Sequence, residues 1–145
     1  MTTKESLERL LDPVAIEKEL QRRRAPFVAL FPDAGELRRE LYPKHIEFFR
    51  AGADYKERLF MAANRVGKTV AGAYETACHL TGRYPEWWEG KRFDKPTVGW
   101  ACSVSGEVAR DTVQRLLLGR SGAIGTGTIP KDAILETITA RGTPI

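Results

Sequence analysis

Three consecutive residues, Gly67-Lys68-Thr69, carry the most specific chemistry in the chain. Glycine lets a backbone curl tightly and present successive N–H groups. Lysine adds a mobile ammonium, and threonine adds a hydroxyl suited to a magnesium ion. Together these make a cradle for a triphosphate at the positive end of a following helix. Gly67 has to be glycine, because a side chain there would strike the phosphates or forbid the backbone angle. Lys68 is placed for the β- and γ-phosphates of ATP and Thr69 for Mg2+. Ala63, Asn64, Arg65 and Val66 form the body of the curl and join Gly67, Lys68 and Thr69 as candidate nucleotide-binding residues. Arg65 adds a second positive charge near the γ-phosphate, where negative charge must be stabilised during transfer; the alternative is a solvent-facing arginine. Lys68 and Arg65 are the candidate catalytic residues. Ala62 stands where the full pattern has its first glycine, at the mouth of the loop, where alanine removes none of the chemistry.

A glycine-lysine-serine or glycine-lysine-threonine tripeptide arises by chance in roughly one chain of this length in fifteen, so the flanks decide its weight. Upstream, "RLFMAA" at 58–63 is a short apolar run bounded by charge, the pattern of a buried strand. Downstream, Val70, Ala73, Tyr74, Ala77 and Cys78 recur at helical spacing, with small residues suited to close packing. A loop rich in glycine, proline and aromatics spans 81–96. "TVGWACSV" then alternates, with Val98, Trp100, Cys102 and Val104 on one side, as a strand would. "GEVARDTVQRLLLG" has Ala109, Val113, Leu116 and Leu117 at helical spacing and Gly119 at its end. Strand, helix, strand, helix predicts an α/β fold: an incomplete P-loop NTPase (RecA-like/ASCE) with a parallel sheet over residues 51–145.

Residues 1–50 predict a helical N-terminal extension. Asp12-Pro13 is a helix start, with Ile16 and Leu20 on one face of the helix it opens. Asp33 with Glu36 three residues on is a variant capping box ahead of "ELRREL", and after Pro43 the residues Ile46 and Phe49 share a side.

Composition excludes whole classes. The 145 residues are 42% hydrophobic and 29% charged, ordinary for a soluble globular domain and far from collagen-like, disordered or membrane proteins. Apolar runs such as "FVALF" at 27–31 are too short to cross a bilayer, and the charged start "MTTKESLERLLD" has no apolar signal core, which implies a cytosolic protein. Cys78 and Cys102 lie far apart among apolar neighbours and read as small core residues. A net charge of +4 permits a polyanion without requiring one; Arg22-Arg23-Arg24 and Arg38-Arg39 read as solvated helix faces.

"LYPKHIEFF", followed about twenty residues later by "AANRVGKT", resembles the ATPase domain of the large terminase subunit, the DNA-packaging motor of tailed bacteriophages. "HLTGRYPEWWEGKRF" is similar to the stretch after the loop in one subgroup, and the resemblance runs from about residue 38 onward. It implies that Gly67, Lys68 and Thr69 bind ATP and Mg2+, and that Arg65 assists cleavage of the γ-phosphate bond. It implies that Tyr42 to His45, with Tyr42 and His45 as contacts, lie near the adenine. His45 departs from the family's usual glutamine. A glutamine amide donates to and accepts from an adenine edge at once, whereas neutral histidine has one donor and one acceptor on opposite sides of its ring, so base selectivity is in question. A plain helix start is the alternative for "YPKH". The implied setting is the cytoplasm of an infected bacterial host. The implied partners are double-stranded DNA, a portal and procapsid, a small terminase subunit, and further copies in a homo-oligomeric ring. Trp87-Trp88 reads as a packed loop at a sheet edge rather than a platform for bases.

Hydrolysis also needs carboxylates, as an Asp-Glu pair after an apolar strand. "AILE" at 133–136 is the nearest candidate, rejected because Pro130-Lys131-Asp132 makes a helix start. The second acidic motif and the nuclease domain that large terminases carry are not found in these residues. The expectation is the N-terminal part of a longer ATPase that binds nucleotide weakly and hydrolyses it poorly alone. Two other classes stay open: a helicase-like, nucleic-acid-dependent P-loop ATPase, and a truncated, non-catalytic protein that assembles with a motor or capsid.

Overall fold

Proline and glycine punctuate the fold at the points where helices begin and end. The computed structural model of the chain describes Pro13 and residues 30–138. The rest of the predicted helix from Asp12 to Arg24 lies outside the described residues. Helix α1 (Pro43–Ala51) starts on a proline at its first position, with Tyr42 as N-cap. Helix α2 (Lys68–Thr81) is bracketed by two glycines in left-handed backbone, Gly67 at φ 84° and Gly82 at φ 68°. A third rod is continuous but changes pitch. It begins as α3 (Gly106–Val108), continues as a π-helical stretch (Ala109–Gln114) and closes as α4 (Arg115–Leu118). Ser105 caps its start by accepting from the Val108 N–H, and Gly119 at φ 102° ends it.

The core lies where α1, α2 and the 84–88 loop meet. Phe49, Ala71, Tyr74, Ala77, Cys78 and Trp88 are all buried. Phe49 lies 5.0 Å from Trp88 between ring centroids, and Tyr74 stacks on Trp87 at 6.1 Å with planes 4° apart. The tryptophan pair is therefore a packed loop, as its sequence suggests, but it covers helices. Burying side chains of this size contributes on the order of 1.5–3 kcal/mol each. The helical stripe expected on α2 is the one that is buried, with Val70 partly so. Burial pushes the Cys78 thiol up to about 12 and raises the Tyr74 hydroxyl further, so neither ionises near neutrality.

The described residues do not form the predicted parallel sheet. Among the described residues there is no strand; the one ladder contact is an isolated antiparallel bridge between Thr126 and Pro130. Residues 58–63 and 97–104 run without helix, yet neither is paired as a strand. Leu59 and Met61 are each 81% exposed, and Val98, Trp100 and Val104 exceed that. An alternating pattern reports which face of an extended chain suits burial, but a strand exists only when another segment pairs with it. The RecA-like/ASCE sheet reading is thus corrected to a helical fold. Cys102, expected in the core, is exposed for the same reason.

Two smaller expectations also change. "ELRREL" forms only a 3-10 turn (Arg39–Leu41), and Asp33 pairs with the Arg39 side chain instead of capping a helix. Arg39 is partly buried over the Trp87 ring, so it is not a fully solvated face. A single 3-10 turn (Lys131–Ala133) takes in the first residue of "AILE", and the chain runs without helix from Ile134 on; Glu136 is exposed.

Candidate nucleotide-binding site

The curl at 62–67 is fed by extended chain rather than helix and turns directly into α2. Two positive backbone angles shape it: Arg65 at φ 62° and Gly67 at φ 84°. A non-glycine residue in left-handed backbone is uncommon and costs of order 1–3 kcal/mol, so the surroundings must hold Arg65 there. A Cβ on Gly67 would meet only the His45 Nε2 at 3.4 Å, so here the backbone angle, rather than crowding, is what calls for glycine. The helical ladder begins with the Ala71 N–H on the Gly67 carbonyl at 2.9 Å. The N–H groups of Lys68, Thr69 and Val70 therefore have no helical acceptor, as at any helix start, and they carry the positive end of the helix dipole.

Two side chains fasten the curl. Lys68 Nζ donates to the Ala62 and Ala63 carbonyls at 2.7 and 2.5 Å, closing the loop's first residues onto the head of α2. From the other side, His45 lies 3.0 Å from the Val66 carbonyl through Nε2. A carbonyl only accepts, so this geometry makes Nε2 the protonated nitrogen and leaves Nδ1 as the acceptor of the neutral ring. His45 is buried, set edge-on to Phe60 at 5.1 Å and to Tyr42 at 5.4 Å. The donor that a glutamine would offer to a base is here turned onto the loop.

A cavity of about 660 Å³ opens beside the curl, within the range of ordinary ligand pockets. Tyr42, His45, Arg65, Val66 and Gly67 line it, so the structure brings the proposed adenine-side pair together with half of the loop. Ala63, Asn64, Lys68 and Thr69 do not line it; Thr69 is exposed in the first turn of α2. Sequence reasoning missed the apolar wall: Leu30, Phe31, Leu37 and Leu41. Phe31 is buried, with φ 56°, and sits edge-on to Tyr42, Phe49 and Tyr74. It lies in irregular chain where no period marks a buried residue; the run "FVALF" was its one signal. The charged residues lining the cavity are Lys44 and Arg65, so the pocket joins an apolar wall to a cationic lip.

A further element was also missed. Glu75 is a buried carboxylate on α2, and Arg58, just upstream of the loop, donates to it at 2.9 Å and to the Phe48 carbonyl at 2.6 Å. The pair ties the segment entering the curl to the helix leaving it. Among the described residues no group of three or more His, Cys, Asp or Glu could hold a metal ion. No described helix is long and apolar enough to cross a membrane.

The curl, its lysine clasp and the neighbouring pocket fall in a region with recognisable relatives. A family described as "Terminase large subunit, T4likevirus-type, N-terminal" matches residues 59–144, more than half of the chain.

The chain belongs to the large terminase family.

A relative, "Terminase, large subunit" of Salmonella phage P22, is 44% identical over a match that covers 66% of this chain and 22% of that protein. The chain thus spans about a fifth of the length of this terminase relative. No solved structure matches it. Membership places the chain with the terminases rather than with the helicase-like alternative.

Proposed function

We propose that this terminase chain is a nucleotide-binding segment of a DNA-packaging ATPase, holding ATP with Mg2+ to drive double-stranded DNA into a procapsid in the host cytoplasm. The observation that carries the reading is the clasped curl: Gly67 in left-handed backbone, free N–H groups at the head of α2, and Lys68 across the loop mouth. Ala63, Asn64, Val66 and Gly67 would offer backbone N–H groups to phosphate oxygens, and Lys68 would turn its ammonium from the carbonyls to the β- and γ-phosphates. Arg65, held on the pocket lip, would carry the charge that steadies the departing γ-phosphoryl group.

The fit to a magnesium ion is partial. Thr69 supplies one hydroxyl, and Mg2+ commonly completes its shell with phosphate oxygens and water. Its chemical contribution is to neutralise phosphate charge. No carboxylate lines the pocket beside the curl, so binding is the activity proposed for these residues. Tyr42 and His45 would face the base across the apolar wall of Phe31. Portal, procapsid, small subunit and a homo-oligomeric ring belong to this reading as partners of the longer protein.

Titration with a fluorescent ATP analogue and Mg2+ tests the proposal, with His45 as the discriminating position. His45→Ala removes the loop tether and is expected to weaken binding about 5- to 10-fold, the effect of losing one hydrogen bond of about 1 kcal/mol. His45→Gln, whose amide can still donate to the Val66 carbonyl, is expected to stay within about 3-fold of the parent chain. No measurable binding by the parent chain would overturn the proposal, and equal affinities in all three would remove His45 from it.

A further inference from the structure

The π-helical stretch creates a second cationic site that the nucleotide reading does not use. Arg110, Arg115 and Arg120 recur every five residues. In an α-helix that spacing would turn Arg115 about 140° away from Arg110. The π-helical stretch from Ala109 to Gln114 bonds each residue to the fifth one along, which returns Arg115 to the Arg110 side. Gly119 then turns the chain at φ 102°, packed so closely that a Cβ there would lie 2.4 Å from the Thr126 hydroxyl and 2.6 Å from the Ala123 carbonyl. That turn brings Arg120 into one cleft with Arg110 and Arg115.

The result is a cleft of about 280 Å³ lined by the three arginines together with Asp111, Gln114 and Ser121. Asp111 is the carboxylate in the cleft lining, and Arg110 already holds it through two hydrogen bonds, from Nε at 2.7 Å and Nη2 at 3.2 Å, with Glu107 also close enough to act on Arg110. Arg115 and Arg120 are exposed. Guanidinium forks with a neighbouring amide donor match the oxygens of a phosphodiester, and a net charge of +4 is compatible with a polyanion.

We infer that the cleft formed by Arg110, Gln114, Arg115 and Arg120 is a seat for the phosphate backbone of duplex DNA. A π turn is rare and is frequently found at functional sites; here it brings Arg110 and Arg115 to one side, where an ordinary helix would separate them. Phosphate bonds of this kind position a duplex without reading its sequence, as a protein that moves DNA of any sequence requires. The inference rests on the DNA-handling part of the proposed function and not on the nucleotide pocket, with which the cleft shares no residue.

The test is fluorescence anisotropy of a labelled duplex of about 20 base pairs, titrated with the 145-residue chain at several salt concentrations. R115Q/R120Q is expected to bind at least about tenfold more weakly at low salt. Its slope of log affinity against log salt should be shallower by ~1.8, about 0.9 for each phosphate no longer neutralised. R115K/R120K should keep most of the slope, and the single variant R120Q, outside the helix, should lose ~0.9 of it if the double variant does not fold. Affinity for the ATP analogue should be unchanged in each. A folded R115Q/R120Q with the parent's DNA affinity and slope would overturn the inference, as would a parent chain with no salt-dependent DNA binding. Loss of nucleotide binding with DNA binding intact would overturn it too, by assigning the cleft to nucleotide phosphates. Failure of the ATP titration alone would leave the inference standing.

Discussion

Lys68→Ala is expected to lower the affinity of the chain for ATP with Mg2+ about 10- to 100-fold, the effect of removing a hydrogen-bonded charge of roughly 1.5–3 kcal/mol. The lysine has two tasks in the structure. It holds the Ala62 and Ala63 carbonyls at 2.7 and 2.5 Å, and its ammonium is within a short rotation of the curl it closes. Those carbonyls belong to exposed residues, so water can replace the lysine on them and the loss of stability should stay below about 1 kcal/mol. Calorimetric titration and thermal unfolding separate the two effects: large in affinity, small in melting temperature. Lys68→Arg should fall between, because a guanidinium retains the charge but cannot act as a compact point donor to two carbonyls and then to phosphates. Unchanged affinity in Lys68→Ala would instead favour the non-catalytic assembly protein.

Glu75→Ala is expected to produce a large loss of stability although the residue lies outside the pocket. Arg58 and Glu75 keep only 19% and 9% of their side-chain surface, and the guanidinium also lies 4.4 Å over the Phe48 ring. Removing one member of a buried pair leaves the other charge without its partner, which costs roughly 3–5 kcal/mol at full burial. Arg58 retains some exposure to water, so about 2–3 kcal/mol is the better expectation. For a domain of this size that lowers the melting temperature by roughly 6–12 °C. His79, 3.5 Å from the same carboxylate, offers little compensation while neutral. Arg58→Met with Glu75→Leu together should recover most of the loss, since an apolar pair leaves no charge stranded. Because Arg58 anchors the chain entering the curl, Glu75→Ala should also weaken ATP binding, whereas the apolar double variant should restore stability before affinity. Equal melting temperatures for the parent and Glu75→Ala would show that the pair does not hold the segment.

How much could be read from residues alone depended on whether a feature is local. The α2 stripe of Ala73, Tyr74, Ala77 and Cys78 was legible because a helix makes its hydrogen bonds within itself, so its period alone reveals the buried face. Gly119 as a stop and Gly67 as the turn into α2 were legible because each satisfies a backbone angle at one position. The sheet was misread because a strand depends on a partner that the pattern at Val98, Trp100 and Val104 cannot name, and in the structure those side chains stand in solvent. The arginine cleft was invisible at α-helical spacing and emerges only once the rod widens to a π turn. Phe31 and Glu75 were missed for opposite reasons. One sits in irregular chain with no period; the other is a charge within an apolar stripe whose partner lies seventeen residues away.

The proposed ATP site is the curl at 62–69 together with the adjoining pocket. Backbone amide NMR of the 145-residue chain, titrated with a non-hydrolysable ATP analogue and Mg2+, tests it most directly. The expected result is saturable shifts concentrated at Asn64, Arg65, Gly67, Lys68 and Thr69, joined by Tyr42 and His45, all moving together to about 10- to 100-fold higher ligand concentration in Lys68→Ala. Shifts that gather elsewhere, or that leave Gly67 and Lys68 unmoved at saturation, would contradict the claim.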